Sequence, residues 1–340
     1  MLLNNNFIIK KYVIISFIIL SIYFLLNTLI YRESRLIILP IYIEFIFKGF
    51  SAFIIGSLDV DGTQLYSAFL KTAFVNFIAI GMLPFINFLD SANYMRFGYA
   101  MVPSVIMFIY AILNKEKMKI VWIIIATISL ILTVIYGSRG PLVVIFLCGL
   151  LLFLFSKRIS KIKKINILGF SCIIIFLVNK YNLFVKLIDN IYYTMGIQTY
   201  ALAKLLMMFN IGFIEASSGR GRIYSILWDH IKQNPVMGHG IGFSHKILGC
   251  TPHNIFLQIL LEFGIIGLLV WMIVLTYCLY KYKKIYSKRE ERLFIIITLI
   301  ASIALGRLLI SSDMWLRPEY WLALSMLFNF KYKHKYLQKV

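Results

Sequence analysis

The sequence predicts an all-α, polytopic membrane helical bundle with one large extracytoplasmic loop containing short helices. Three observations carry this. Hydrophobic residues make up 61% of the 340 residues and charged residues only 14%, against about a quarter charged in soluble domains. The apolar residues fall in long blocks rather than in alternation, as lipid-embedded helices require. One long stretch, 180–253, interrupts the blocks. Mean hydropathy is +0.85.

About ten spans follow from blocks near the 20 residues a crossing helix needs. They are 12–30, 36–57, 65–86, 97–113, 120–136, 141–156 and 165–179, then 254–280, 293–310 and 316–330. The second contains Glu44 and Lys48. The chain divides into N-terminal membrane helices (1–179), the large loop (180–253) and C-terminal membrane helices (254–340), all one membrane domain. After Lys10 and Lys11 the apolar run shows no small-residue cleavage site, so the first block is expected to stay as a spanning helix.

The net charge of +21 would suggest nucleic acid in a soluble protein. Here it sits in short loops, at 115–119, 156–164, 281–292 and the C-terminal tail. Ten spans place all of these on one side, which the positive-inside rule makes cytoplasmic. Both termini then lie inside, and the expected location is a bacterial cytoplasmic (inner) membrane, with no nucleic-acid partner. The loop 58–64 offers only Asp59 and Asp61 to this count. Residues 137–140, 180–253 and 311–315 face outward. Cys148, Cys172 and Cys278 lie in apolar blocks, and Cys250 in the outer segment has no obvious disulfide partner. No zinc spacing is present.

Four outer-face elements can carry chemistry. In Ser138-Arg139-Gly140-Pro141, proline suits a helix start, and Arg139 sits at the helix N-terminus, where guanidinium and dipole both favour a phosphate. The structural alternative is an arginine bonding loop carbonyls or snorkelling to headgroups. In Ser218-Gly219-Arg220-Gly221-Arg222, Arg220 and Arg222 offer forked phosphate contacts; a pair with Asp229 is the bland alternative. Gly238, Gly240 and Gly242 alternate in a segment expected to be a tight turn, with His239 and His245 structural. In Thr251-Pro252-His253-Asn254, Thr251 is expected to cap a helix, with Pro252 first in it and His253 in its first turn. The dipole there keeps the imidazole neutral and able to accept a proton. Asn254 would orient the ring or a substrate hydroxyl.

Glu262 is expected roughly 12 Å down that helix, paired with Arg307, while Gly264 and Gly267 allow close helix packing. Asp313, Arg317 and Glu319 form a charged cluster around Trp315 that closes the site from the far side or marks the interface.

These segments together resemble the O-antigen polymerase and O-antigen ligase superfamily. The matching residues are Gly137-Ser138-Arg139-Gly140, Ser218-Gly219-Arg220 with Trp228, Asn234-Pro235, Gly238-His239-Gly240-Ile241-Gly242, His253-Asn254-Ile255-Phe256-Leu257-Gln258 and Glu262-Phe263-Gly264-Ile265-Ile266-Gly267, best over about 120–275. The resemblance implies a metal-independent, cofactor-free glycosyltransferase acting on undecaprenyl-diphosphate-linked glycans as donor and acceptor. Arg139 and Arg220 would bind the diphosphate and His253 would activate the acceptor hydroxyl. The expected activity is polymerisation of repeat units into O-antigen or capsular-type polysaccharide. The alternatives are ligation to a lipid A core, and a polysaccharide flippase or other transporter. A chain-length regulator, a flippase and membrane lipids are the further partners expected.

Overall fold

A computed structural model describes residues 9–86, 93–113, 119–155, 160, 162–167, 169–170, 180, 182–212, 219–287 and 290–329. Among them regular structure is helical, with no strand. Six helices are long and apolar enough to cross a membrane. They are α1 (Lys11–Ile30), the continuous span of α2 (Arg35–Glu44), a π-helical stretch (Phe45–Phe50) and α3 (Ser51–Gly56), then α4 (Gly62–Gly81), α5 (Tyr94–Leu113), α12 (Ile255–Ser287) and α13 (Glu291–Ile310). The fold class is as expected, an all-α polytopic membrane protein.

The remaining expected spans are shorter. α6 (Lys119–Tyr136) and α7 (Arg139–Phe155) are apolar but just below that length, and α14 (Pro318–Asn329) has 12 residues. The block 165–179 lies largely outside the described residues. The interrupting stretch contains the short helices anticipated for it: α8 (Leu183–Asp189), α9 (Tyr200–Ile211), α10 (Arg220–Gln233) and α11 (Phe243–Leu248).

Two apolar cores organise the bundle. One joins α4, α5, α6, α7 and α13 around Val102, Phe108, Val144, Ile296 and Leu299. The other joins α1, α2, α3, the start of α12 and residues 314–321 around Phe24, Phe45, Ile259, Trp315 and Trp321. α13 and the segment after it contribute to both, so the seam between the cores falls at residues 307–317. A largely apolar cavity of about 530 Å³ opens within the second core, lined by Tyr23, Phe50, Phe263, Trp271, Tyr320 and Phe328 among others.

The two ends of the bundle differ in charge. At one, Lys10 pairs with Asp59 at 2.7 Å and also reaches Asn329, Asp61 caps α4 through Thr63 and Gln64, and Arg292 stands near Asp61. The acids of the loop 58–64 are thus matched to basic residues at their own end. At the other end lie Tyr31, the start of α7, α10 to α11 and the turn after α13.

The decisive local feature is a break in α12. Gly264 has φ 63° and ψ −160°, outside helical geometry. The rings of Phe256 and Trp271 meet at 5.5 Å, whereas fifteen residues of straight helix would separate them by roughly 22 Å. The first half, 255–263, therefore folds back sharply on the second, 265–287. A break frees carbonyls before it and amides after it, and these need partners away from water. Residues 235–240 supply them. The His239 and Gly240 amides donate to the Leu261 and Glu262 carbonyls (2.7 and 3.0 Å), and the Ile265 and Ile266 amides donate to the Pro235 and Val236 carbonyls (2.8 and 3.4 Å).

Glycine is required on both sides of this seam. A Cβ on Gly264 would strike the Val236 carbonyl, and one on Gly238 would lie 2.6 Å from the Glu262 carbonyl carbon, each at positive φ. The expected role of Gly264 in helix–helix packing is corrected: it admits a loop, and Gly267 is crowded by Phe263 across the break.

Gly264→Ala is expected to prevent recovery of monodisperse protein, or to lower its Tm sharply, because it adds a backbone collision to conformational strain. Gly249→Ala has positive φ but no neighbour within 4 Å, and should cost only about 1–2 kcal/mol. Size-exclusion chromatography and thermal unfolding in detergent compare the two.

Candidate active site

Side chains from six elements converge beside Tyr99 of α5. α7 packs closely here: a Cβ on Gly98 would lie 3.0 Å from the Gly137 Cα, and Gly140 sits directly against the Tyr99 hydroxyl. This contact sets Arg139, the first residue of α7, at the edge of the site, as the Pro141-initiated helix start predicts. α10 opens at Arg220, after Gly219 turns the chain with φ 84°. Ser218 lies outside the described residues.

Arg220 is the electrostatic hub. It acts on Arg139, on the phenols of Tyr94 and Tyr99, and on His253. Tyr200 of α9 faces Arg139 as well. The Arg307 guanidinium lies over the Tyr99 ring at 4.4 Å and pairs with Glu319 at 3.1 Å. The Tyr99 hydroxyl meets Ser311 Oγ at 3.3 Å. The expected trio Arg139, Arg220 and His253 lies within electrostatic reach of one another through Arg220, and Arg307 and Arg317 act on Tyr99 as well.

His253 is held in the left-handed region, with φ 55°, a conformation unusual for a non-glycine residue and found at functional sites when the surroundings enforce it. Those surroundings are specific. Thr251 Oγ1 lies 3.2 Å from Nδ1, the Tyr224 hydroxyl donates to the His253 carbonyl at 3.3 Å, and the Ser311 backbone stands by the ring. Burial pushes the imidazole below its usual pKa, the Arg220 charge adds to this, and the Ser311 carbonyl works in the opposite sense. The neutral ring, able to accept a proton, is thereby the favoured form at neutral pH.

Several expectations are corrected. Asn254, not Thr251, caps α12: its Oδ1 accepts from the Phe256 and Leu257 amides at 2.9 and 3.3 Å. The helix then begins at Ile255, and His253 precedes it rather than lying in its first turn. The side-chain oxygen of Asn254 is occupied by the cap and so does not orient the ring. Arg222 is exposed, since two residues along a helix face nearly opposite directions, and does not join Arg220. Asp229 pairs with Lys232 at 3.2 Å instead of with an arginine.

Glu262 does not pair with Arg307, which is taken by Glu319. The break at Gly264 swings Glu262 toward the glycine loop, so its depth is not set by a straight helix. Its carboxylate accepts from the Gly242 amide (3.1 Å), Gln258 Nε2 (3.3 Å) and Trp315 Nε1 (3.0 Å). Three donors satisfy a fully buried acid without a counter-ion, and tie the loop to residue 315. Trp315 itself is buried, not interfacial. Asp313 is buried too, with Oδ1 accepting from the Trp315 amide at 2.8 Å and Oδ2 lying 3.8 Å from His245 Nε2. His239 has a structural place, as expected, with Nε2 2.8 Å from the His230 carbonyl and its ring stacked on Phe243.

Sequence reasoning missed Tyr99, Tyr94, Tyr200 and Ser311. Nothing in the sequence marks these tyrosines among 21.

Comparison with known families matches residues 123–272 to the O-Antigen ligase family, Wzy_C. The matched region contains Arg139, Arg220, His253, the glycine loop and the break in α12. No curated protein matches the chain.

In the wild type, His253 should titrate below the ordinary imidazole value of about 6.5, and Arg220→Gln should move it up, since one of the two effects opposing protonation is then gone. Titration of histidine-labelled protein by NMR checks both. Separately, Trp315→Phe should cost about 1–3 kcal/mol by stripping a buried donor from Glu262, read as a lower Tm with the fold retained.

Proposed function

We propose that this chain, whose residues 123–272 match the O-antigen ligase family, transfers glycan from a polyprenyl-diphosphate donor to a sugar hydroxyl. The superfamily supports glycosyl transfer of this type at a multi-pass membrane protein; polymerase activity is the finer part of the proposal. One observation carries it: Arg220 acts electrostatically on both Arg139 and His253, so a cationic cradle and a neutral imidazole share one mouth.

The chemistry asks for these two things. The leaving diphosphate needs fixed positive charge as the anomeric C–O bond breaks and its electron pair moves to the phosphate oxygen. Arg139 and Arg220 supply it. The attacking hydroxyl is a poor nucleophile at neutral pH, and His253 takes its proton as the new bond forms, with inversion. An activated lipid donor makes a second carboxylate pair unnecessary.

The site lies at the end of the bundle opposite Lys10, Arg292 and Asp61. With the basic loops at 281–292 toward the cytoplasm, the mouth faces outward and both termini lie inside a bacterial cytoplasmic membrane. The acceptor in the leading proposal is a second lipid-linked repeat unit, giving O-antigen or capsular-type polymer, with a chain-length regulator and a flippase as partner proteins. The description of the matched family as ligase favours the second reading, transfer onto a lipid A core.

His253→Ala is expected to insert normally and abolish transfer; wild-type chain lengths from it would remove the base from the mechanism. The rate should fall as pH drops through the depressed imidazole pKa, below about 6.5, and hold above it. Arg220→Lys should lose activity by orders of magnitude, because a point charge cannot replace a fork. Sizing surface glycan from a deletion strain separates the acceptors. A ladder cut to one unit marks the polymerase, and free lipid-linked polymer with bare lipid A marks the ligase.

A further inference from the structure

Arg307 and Arg317 are the charges the proposed mechanism does not use. Each acts electrostatically on Tyr99 and on the other. Arg307 is satisfied on one face only, by Glu319 at 3.1 Å and the Tyr99 ring at 4.4 Å. Arg317 makes no ion pair among the described residues, although Glu319 and Asp313 lie within electrostatic reach. Arg307 Nε, Arg317 Nε and Glu319 Oε2 are all buried without a hydrogen-bond partner among the described residues.

Two like charges held side by side in a partly desolvated place repel each other, and unmade bonds to buried donors add to the cost. Such a pair is stable when an anion lies between the guanidinium forks, which match phosphate oxygens two at a time. Burial and the Arg307 charge both lower the Arg317 pKa, while Glu319, Tyr99 and Asp313 work in the opposite sense.

The position of the pair limits what that anion is. Tyr99 lies within electrostatic reach of Arg220, Arg307 and Arg317, with Gly140 against its hydroxyl and Arg307 over its ring. Two cationic stations therefore meet at one ring: Arg139 with Arg220, and Arg307 with Arg317. A monophosphate fills one station, while a diphosphate spans both. The geometry points to Arg307 and Arg317 as a second phosphate subsite, holding the distal phosphate of a lipid diphosphate whose first phosphate sits at Arg139 and Arg220. This inference rests on the proposed substrate class and adds how the site tells a diphosphate from a monophosphate. Arg317 is then the specificity determinant, because Arg307 is already anchored by Glu319.

The test uses the full chain in phosphatidylcholine nanodiscs and two probes, farnesyl diphosphate and farnesyl monophosphate, with affinity measured from intrinsic tryptophan fluorescence or thermal shift. The wild type should prefer the diphosphate by about tenfold or more. Arg317→Gln should erase the preference while leaving monophosphate affinity within about twofold. If Arg317→Gln is not recovered folded, Arg317→Lys keeps the charge without the fork and should show a reduced preference; an unchanged preference there overturns the subsite. So does a wild type that binds both probes equally, or an Arg317→Gln variant that weakens both in parallel, and in either case the proposed substrate class survives. A wild type that binds neither probe sinks the substrate class together with the subsite. If phosphatidylglycerol added to the discs abolishes the wild-type preference, the pair holds a headgroup phosphate and the assignment to substrate is overturned.

Discussion

The backbone seam between residues 235–240 and the break at Gly264 is the constraint on which the mouth of this molecule depends. An apolar helix interrupted in a membrane protein exposes peptide groups that lipid cannot satisfy. Here a loop arriving from the other side satisfies them by reciprocal hydrogen bonds around the break. The same seam fixes Glu262 against the Gly242 amide, and through Trp315 it sets the segment 311–317. That segment carries Ser311, which stands by both His253 and Tyr99. The placement of the imidazole thus traces back to a glycine eleven residues further along the chain.

Charge on this frame is shaped by burial as well as by the Arg307–Glu319 pair. Arg139, Arg220, Arg307 and Arg317 gather around Tyr99, with Glu319 and Asp313 as the nearest acids. An aromatic ring between cations tolerates them through its negative face without neutralising them. The potential at the mouth stays positive and ready for an anion. Burial beside this cluster also keeps His253 uncharged. One environment therefore has two effects, a positive potential at the mouth and an imidazole held in its neutral form.

Much of the architecture was legible in the sequence because lipid leaves long apolar blocks, and because arginine and glycine on an outer face have few bland reasons to cluster. Arg139 at a helix start follows from those signals, whereas the grouping of Arg220 with His253 came from the family resemblance. The break in α12 was not legible, since Gly264 lies in an apolar run that continues in helical pattern on either side. Only a partner loop with its own free backbone groups makes a left-handed glycine preferable there. The cap was misassigned between two competent residues, Thr251 and Asn254, and the left-handed turn at His253 favours the later one. The partner of Glu262 was misplaced because a straight helix was assumed where the chain folds back.

The Asn27 side-chain oxygen accepts the Ile241 amide at 3.0 Å across 214 positions of sequence, and the Tyr31 hydroxyl reaches the Gly238 carbonyl close by at 3.3 Å. α1 therefore waits for a loop made 214 residues later. Until that loop arrives, the Asn27 side-chain oxygen lacks its amide donor, while its Nδ2 already donates to the Tyr23 carbonyl within α1 at 3.0 Å. Loop-closure entropy makes such a distant contact slow to form. Closure of this end of the bundle is thus a late event, governed by the meeting of α1 with a loop from far along the chain.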